Sequence, residues 1–194
     1  MIKNKHVVIC PVGRTASGKT ELTKKVAKDL GLTVLKSYAT RSPRKDEIDN
    51  SDVDHIFITN DVADEMLNDS EVEIVAYTEI NNNRYFATLN QLRESDFYII
   101  DPLGYKTLSS VLKERNITDI EVIPLYIGAT YDIRKERYLK RDKATIEDFK
   151  SRDLSEDTQF TFFELKTSVL SIDNNDSFEE SVKQYKNIVK ELIN

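Results

Sequence analysis

Residues 6–20 read HVVICPVGRTASGKT, and this stretch decides the fold. The apolar run from His6 to Cys10 is typical of a buried strand in a parallel sheet. The residues after Val12 match the pattern G-x-x-x-x-G-K-[ST] in full: Gly13, Arg14, Thr15, Ala16, Ser17, Gly18, Lys19 and Thr20. An apolar stripe with a spacing of four follows and indicates one face of a helix (Leu22, Val26 and Leu30). Strand, glycine loop and helix together predict a phosphate-binding loop; the alternative is an accidental glycine turn before a helix.

Each part of this segment, which we call the phosphate loop (residues 13–20), has a physical task in binding ATP. The glycines let the backbone curl so that successive N–H groups point at phosphate oxygens, and the helix that follows adds its positive N-terminal end. We expect Lys19 to reach the outer phosphates and the Thr20 hydroxyl to ligate Mg²⁺. The chain has only five glycines, so two in one short loop indicate a requirement of the backbone.

Composition limits the classes of protein that remain. The chain has 194 residues, with 28 basic and 34 acidic side chains and a formal charge of −6. The length suits one domain, and the acidic balance argues against a nucleic-acid binder. No apolar run approaches the roughly 18–20 residues of a membrane span, and the first residues lack the pattern of a signal peptide. The single cysteine, Cys10, excludes an internal disulfide, so we expect a cytoplasmic protein.

Strand and helix patterns alternate along the chain and predict an α/β fold of three layers around a central parallel sheet of about five strands. Short apolar runs indicate these strands at 6–10, 33–35, 97–100, 120–127 and 169–172, the fourth with an interruption at Pro124. A polar, turn-rich stretch from 36 to 89 breaks the alternation and indicates an inserted α+β region. In it we expect a short helix at 61–67 with an Asn or Asp N-cap, and two strands, 72–78 and 84–88, joined by a turn at 81–83. We therefore expect one domain, 1–194, with a core (1–35, 90–130 and 156–194), an insertion (36–89) and a helical lid (131–155).

Two short segments carry concentrated positive charge. Residues 36–45 hold four basic residues and no acid, and residues 134–143 hold six basic and two acidic residues. In the first, Arg41 and Arg44 flank a Ser-Pro pair, and two such guanidinium forks can grip a terminal phosphate. In the second, arginines at i, i+3 and i+7 could close over phosphates as a lid (Arg134, Arg137 and Arg141, with Arg152 beyond). The alternative is that both segments are solvated surfaces.

Asp101 directly follows the apolar run FYII, where a carboxylate that holds a metal through water would lie; the alternative is an ordinary turn before Pro102. The phosphate loop and the two basic segments provide three separate phosphate-binding sites, more than a simple NTPase needs. They favour a kinase whose acceptor is itself a phosphate, so that positioning and charge neutralisation carry the catalysis.

These motifs resemble those of the guanylate kinase family of nucleoside monophosphate kinases, over most of the chain. Residues 37–44 (SYATRSPR) are similar to that family's S-x-T-T-R-x-P-R element, in which the serine and both arginines hold the phosphate of the nucleoside monophosphate. Further segments resemble D-Y-x-F, N-Y-Y-G-[ST], the start of L-D-x-D, the lid arginines and a late asparagine near the adenine: 54–57, 83–88, 99–101, 137–141 with Arg152, and 173–174.

The motifs and the resemblance together imply three sets of site residues. The ATP-binding set is residues 13–20 with Arg137, Arg141 and Asn174. The acceptor-binding set is Ser37, Arg41, Arg44, His55, Glu79, Tyr85, Thr88 and Asp101. The catalytic set is Lys19, Arg44, Arg137, Arg141 and Arg152, and Mg²⁺ is assigned to Thr20 and Asp101.

Three positions depart from the family's pattern. The glutamate that reads guanine falls at Ala76 or Tyr77, with Glu79 nearby but shifted, and Leu103 stands where a second aspartate would be. His55 replaces a phosphate-binding tyrosine; it can still donate a hydrogen bond, and protonation would help it hold phosphate. The alternative is a loop histidine without a role. A glutamate that accepts two hydrogen bonds is what selects guanine over adenine, so its loss predicts altered or relaxed base specificity.

We expect a kinase, monomeric or homodimeric, that transfers the γ-phosphoryl group of ATP to a (deoxy)nucleoside monophosphate, with (d)GMP the default acceptor and no nucleic acid or membrane as partner. Three alternatives stay open. They are a kinase of another small phosphate or hydroxyl acceptor, a non-catalytic guanylate-kinase-like binding module, and a regulatory NTPase.

Overall fold

A computed structural model of the chain describes residues 5–45, 47–48, 53–141, 144–165 and 169–193, without the side chains of 162–165. These residues form seven strands and seven helices. In chain order they are β1 (His6–Val12), α1 (Lys19–Leu30), β2 (Ser37–Ala39), β3 (His55–Phe57), α2 (Asn60–Asn68), β4 (Ile74–Ile80), β5 (Asn83–Thr88), α3 (Leu89–Arg93), α4 (Pro102–Glu114), β6 (Ile120–Gly128), α5 (Tyr131–Leu139), α6 (Ile146–Leu165), β7 (Leu170–Asp173) and α7 (Phe178–Ile193). None of these helices has the length and apolar character needed to cross a bilayer.

A parallel sheet forms the centre of the molecule, in the order β1-β6-β7. Two short segments extend it beyond β1, because Phe97 forms parallel bridges with both Ile9 and Val34. The Tyr98 N–H donates to the Ile9 carbonyl at 3.0 Å, and the Leu35 N–H donates to the Phe97 carbonyl at 2.8 Å. The predicted α/β fold is confirmed, with the difference that 33–35 and 97–100 join the sheet through single bridges rather than as full strands.

The two faces of this sheet carry separate apolar cores. Val8, Cys10 and Val12 of β1 point into one core, which α4 completes with Leu108 and Leu112. Ile9 of the same strand points into the other core, between α1 and α7. Neighbouring residues of β1 thus serve opposite cores because side chains alternate along a strand, which explains why its sequence is apolar without interruption.

A second, mixed sheet is built by residues 37–88, in the order β3-β2-β5-β4. Strands β4 and β5 form the hairpin that the sequence predicts, and Asn81 and Asn82 at its turn have φ angles of 49° and 60°. Positive φ at both central residues is the geometry of the tight hairpin turn that asparagine favours. The division of the chain into core, insertion and lid stays a prediction.

Local details differ from the sequence-based expectations in three places. The helix expected at 61–67 is α2, and its N-cap is Thr59 rather than an Asn or Asp: the Thr59 hydroxyl accepts from the Val62 N–H at 3.3 Å. Pro124 does not interrupt β6, whose parallel register with β1 continues through it. The short helix α3 was not predicted, because five residues are too few to show a helical period.

Phe97 should be a key packing residue, since it is fully buried, bridges two neighbouring segments and contacts the Tyr185 ring at 5.8 Å between centroids. We expect Phe97→Ala to lower the free energy of unfolding by about 3–5 kcal/mol, as measured by urea denaturation. The control is Leu103→Ala at a position 58% exposed, which should change it by less than about 0.5 kcal/mol. Equal effects would contradict the role given to Phe97.

Candidate active site

The phosphate loop lies at the carboxyl end of β1, where two glycines allow close contacts with neighbouring strands. Gly18 has a left-handed backbone (φ 87°) and caps α1. A Cβ atom at Gly18 would lie 2.4 Å from Nδ2 of Asn174, and one at Gly13 would lie 2.6 Å from the carbonyl oxygen of Ile127. Both positions therefore exclude side chains for reasons of space, and Gly18 also for its backbone angle.

The segment directly after β7 holds the backbone of the phosphate loop through hydrogen bonds. Asn174 is 2% exposed, and its Nδ2 donates to the Ser17 carbonyl at 2.6 Å. Arg137 of α5 donates to the Asn174 carbonyl at 2.9 Å and to the Ser17 carbonyl at 3.4 Å. Asn174, expected near the adenine of ATP, thus binds the loop backbone in this structure.

Three carboxylates on one face of α6 hold the first half of the phosphate loop. Arg14 donates to Asp157 Oδ1 at 2.6 Å, so this predicted ATP-binding residue directs its side chain to α6. Both the backbone N–H and the hydroxyl of Thr15 donate to Glu156, at 2.9 and 2.6 Å. One turn earlier, Asp153 pairs with the buried Arg134 of α5 at 2.7 Å. Sequence reasoning missed all three carboxylates; their i, i+3, i+4 spacing was the only available signal.

A first cavity of about 300 Å³ opens over the second half of the phosphate loop. Arg137 and Arg141, both predicted from the basic segment 134–143, line it, and Lys140 joins them although it was not predicted. Its lining also includes Arg14, Glu21 and the loop residues from Ala16 to Thr20. The concentration of cationic side chains and loop N–H groups suits a polyanion such as a nucleotide phosphate chain.

A second cavity of about 550 Å³ lies between the two sheets. It brings together residues that are distant in sequence and were predicted to bind an acceptor: Ser37, Arg41, Arg44, His55, Tyr85 and Asp101. Arg152 of α6 lines it as well. Lys19 and Thr20 line both cavities. The two cavities therefore meet at the end of the phosphate loop.

Lys19 stands among charges of both signs. Burial lowers the pKa of its ammonium group; Glu156 acts in the opposite direction, and Arg141 adds to the lowering. A phosphate beside Lys19 would favour the charged form by the same electrostatic rule as a carboxylate.

Arg41 is held in place by Glu47. The two side chains make a bidentate ion pair, with N–O distances of 2.6 and 2.7 Å, and the Arg44 N–H also donates to Glu47 at 2.6 Å. The guanidinium of Arg41 lies over the Phe57 ring, 4.9 Å from its centroid. The hydrogen bond from Arg41 lowers the pKa of Glu47 to about 2, so Glu47 is a charged anchor that orients the Arg41 guanidinium and fixes the Arg44 backbone.

In the structure His55 contacts other side chains of the insertion, whereas the sequence resemblance suggests that it binds phosphate. Its Nδ1 lies 2.9 Å from the Ser37 hydroxyl, and its ring contacts Tyr85 at 5.5 Å between centroids. Burial, reinforced by Arg41, lowers the pKa of His55. The lowered pKa favours the neutral imidazole over the protonated, phosphate-binding form considered from the sequence.

Two predicted acceptor residues do not line the second cavity. Thr88 is the N-cap of α3, where its hydroxyl accepts from the Gln91 N–H at 3.3 Å. The pattern T-x-x-Q at 88–91 was the signal of a capping box that could have revealed this. Glu79 lies at the exposed end of β4, whereas Ala76 and Thr78 of the same strand face the cavity.

Asp101 combines both of its sequence-based interpretations. It is the N-cap of α4, where its Oδ1 accepts from the Gly104 N–H at 2.8 Å, and it lines the second cavity with Thr20. The cap uses only one carboxylate oxygen. A hydroxyl and a carboxylate are hard oxygen ligands of the kind that Mg²⁺ takes beside substrate phosphates, so the donor set fits that ion.

Known proteins match this chain by structure and not by sequence. No family model matches the chain, and no curated protein matches it by sequence. The crystal structure of guanylate kinase from Anaplasma phagocytophilum matches with a TM-score of 0.64 and 19% identity, covering 100% of this chain and 90% of that one. A gluconokinase from Sinorhizobium meliloti 1021 has a TM-score of 0.49 and 10% identity, over 97% and 94% of the two chains.

At 19% identity the first match is a likeness of fold: the chain has the α/β fold seen in that guanylate kinase. This agrees with the resemblance that the sequence motifs show.

The ion pair of Arg41 and Glu47 predicts a pH dependence. Because the pKa of Glu47 in the folded state, about 2, lies below its usual value of 4.5, the pair stabilises the fold above about pH 4.5, and this stabilisation is lost as the pH falls toward 2. We expect Glu47→Gln to be less stable than the wild type at about pH 6 and the difference to shrink by about pH 3. Urea unfolding at both values measures it, with Glu71→Gln as a control; a constant difference would contradict the assignment.

Proposed function

We propose that this protein is a nucleoside monophosphate kinase, which transfers the γ-phosphoryl group of ATP to the phosphate of a (deoxy)nucleoside monophosphate. The observation that carries the proposal is the meeting of the two cavities at Lys19 and Thr20. A triphosphate bound along the loop in the first cavity would present its outer phosphate to a second phosphate in the other. A hydrolase needs no second, arginine-lined cavity at that point.

Positioning and charge neutralisation carry the proposed reaction. The loop N–H groups bind the donor phosphates, and Arg137 of α5 and Arg141, two residues beyond the end of that helix, cover them. Arg41 and Arg44 hold the acceptor phosphate, and Arg152 lies in the same cavity, where it can balance the charge of the transferred group. Thr20 and Asp101 would hold Mg²⁺, which supplies neutralisation of the phosphate oxygens when bound.

The base of the acceptor would contact the part of the second cavity that β4 lines, and no acidic side chain of β4 lies in that lining. Ala76, Tyr77 and Thr78 line the second cavity there, where a glutamate would be expected for strict selection of guanine. We infer that (d)GMP is the default acceptor and that the enzyme also accepts other bases. The Tyr77 phenol and the Thr78 hydroxyl can each donate or accept a hydrogen bond and so tolerate more than one base edge, whereas the methyl group of Ala76 offers none.

The first test is a panel of ribo- and deoxynucleoside monophosphates with MgATP, read by ADP release and product chromatography. We expect turnover with at least (d)GMP, and Lys19→Ala should lower kcat by about 10²- to 10³-fold, because it removes a positive group at the transferring phosphate. Turnover with no nucleotide in the panel would favour another acceptor or a binding module. Full-speed ATP hydrolysis without an acceptor would favour an NTPase.

The second test separates the two substrates. Arg44→Ala should raise the KM of the monophosphate by about 10- to 100-fold, the range expected for one charge-assisted hydrogen bond, and leave the KM of ATP nearly unchanged. Arg115→Ala, at an exposed arginine at the end of α4, is the matched control and should change neither. Equal effects of Arg44→Ala on both KM values would count against the assigned acceptor site.

A further inference from the structure

Glu156 contacts the phosphate loop in the way that an anionic ligand would. Its two carboxylate oxygens accept from the Thr15 backbone N–H at 2.9 and 3.1 Å, and one of them also accepts from the Thr15 hydroxyl at 2.6 Å. Backbone N–H groups of a glycine-rich loop are the groups that bind phosphate oxygens. The Glu156 carboxylate therefore occupies the Thr15 N–H, one of the loop groups that would otherwise bind an anion.

The same carboxylate acts on Lys19. Among the charged neighbours of that lysine, Glu156 has the largest effect, and it favours the charged ammonium. The lysine of such a loop reaches the outer phosphates of a bound nucleotide. Glu156 is thus placed to neutralise the charge that the terminal phosphate would neutralise.

The lining of the first cavity agrees with this placement. It includes Arg14 and the loop from Ala16 to Thr20 but not Thr15, which carries the Glu156 contact. The loop is therefore open at the end next to α1 and covered at Thr15. A short phosphate chain can enter the open part while Glu156 stays in place; a longer chain has to compete with it.

Neighbouring ion pairs keep α6 close enough for this competition. Asp157 binds Arg14, and Asp153 binds Arg134, on the same face of α6 as Glu156. Neither pair uses a backbone N–H of the loop. The Glu156 side chain can consequently leave Thr15 by rotating, without undocking the helix.

We propose that Glu156 is a built-in competitor for the terminal phosphate, which leaves Thr15 when a nucleoside triphosphate binds and returns after it is gone. The inference rests on the proposed function only in requiring that the phosphate loop binds a triphosphate. Competition by Glu156 makes the protein's affinity for ATP lower than the loop alone would give. It affects the affinity for ATP more than that for ADP because ADP lacks the terminal phosphate.

The experiment is calorimetric titration of the full chain with MgATP and with MgADP, comparing the wild type with Glu156→Gln. The amide oxygen of glutamine can still accept from Thr15, so the loop keeps its contact, but the competing charge is gone. We expect the Kd for ATP to fall about five- to tenfold, less than the full effect of a charge-assisted hydrogen bond because the neutral amide still accepts from Thr15, and the Kd for ADP to change less than about twofold. Glu147→Gln, at an exposed position on the same helix, makes the same change in net charge and should change neither.

A purely structural role of Glu156 gives a different result. Weaker binding of both nucleotides in Glu156→Gln and Glu156→Ala, or no change in either, would overturn the inference while wild-type binding of MgATP leaves the proposed function intact. Glu156→Ala removes the contact as well as the charge, and thermal denaturation of both variants reports whether they fold. If the wild type itself binds no MgATP, the inference and the proposed function both fail.

Discussion

The phosphate loop can adopt its shape only because two of its positions have no side chain. At Gly13 the backbone lies against the end of β6, and at Gly18 it lies against Asn174, directly after β7. The loop itself follows β1, so the carboxyl ends of three neighbouring parallel strands meet within a few ångströms. A side chain at either glycine would force one of the adjoining segments away. The position of the loop is therefore fixed by the sheet and not by the loop sequence alone.

Features that nearby residues specify could be predicted from the sequence, whereas features that depend on distant strands could not. The phosphate loop, α1 and the β4–β5 hairpin are specified by residues close together in the chain, through glycine spacing, apolar period and asparagine turns. The apolar residues of segments 33–35 and 97–100 predict two further strands. An apolar pattern reports burial, however, and does not say how many ladder hydrogen bonds a segment makes. These two segments make single bridges at Phe97.

The candidate site was predictable to a lesser degree, and the reason is again the distance along the chain. Arg41 and Arg44 could be assigned because they lie in one recognisable motif. Glu156 reaches Thr15 across 141 positions, and Asn174 reaches Ser17 across 157. No local pattern encodes such contacts, since an acidic residue on a helix is ordinarily solvated. Motif similarity also supplied residue types without their roles: Thr88 has a hydroxyl in a plausible place and uses it to begin a helix.

Several described cationic groups in and behind the two cavities are paired with carboxylates of the protein itself. Glu47 holds Arg41, Asp153 holds Arg134, Asp157 holds Arg14, and Glu156 covers the N–H of Thr15. Isolated cations in a partly buried site would repel one another and lose solvation, so these partners keep the guanidinium groups ordered before any ligand arrives.

At Thr15 and Arg41 an anionic ligand would replace or join a carboxylate that is already bound. The net gain in binding free energy from these two contacts is reduced accordingly, because each one formed there is offset by one that is lost or weakened. The geometry of the bound ligand is better defined, since the arginines have already given up their rotational freedom. Preorganised groups combined with modest affinity suit a site that must release its ligand as readily as it binds it, and here that balance follows from acidic residues that lie outside the recognisable motifs.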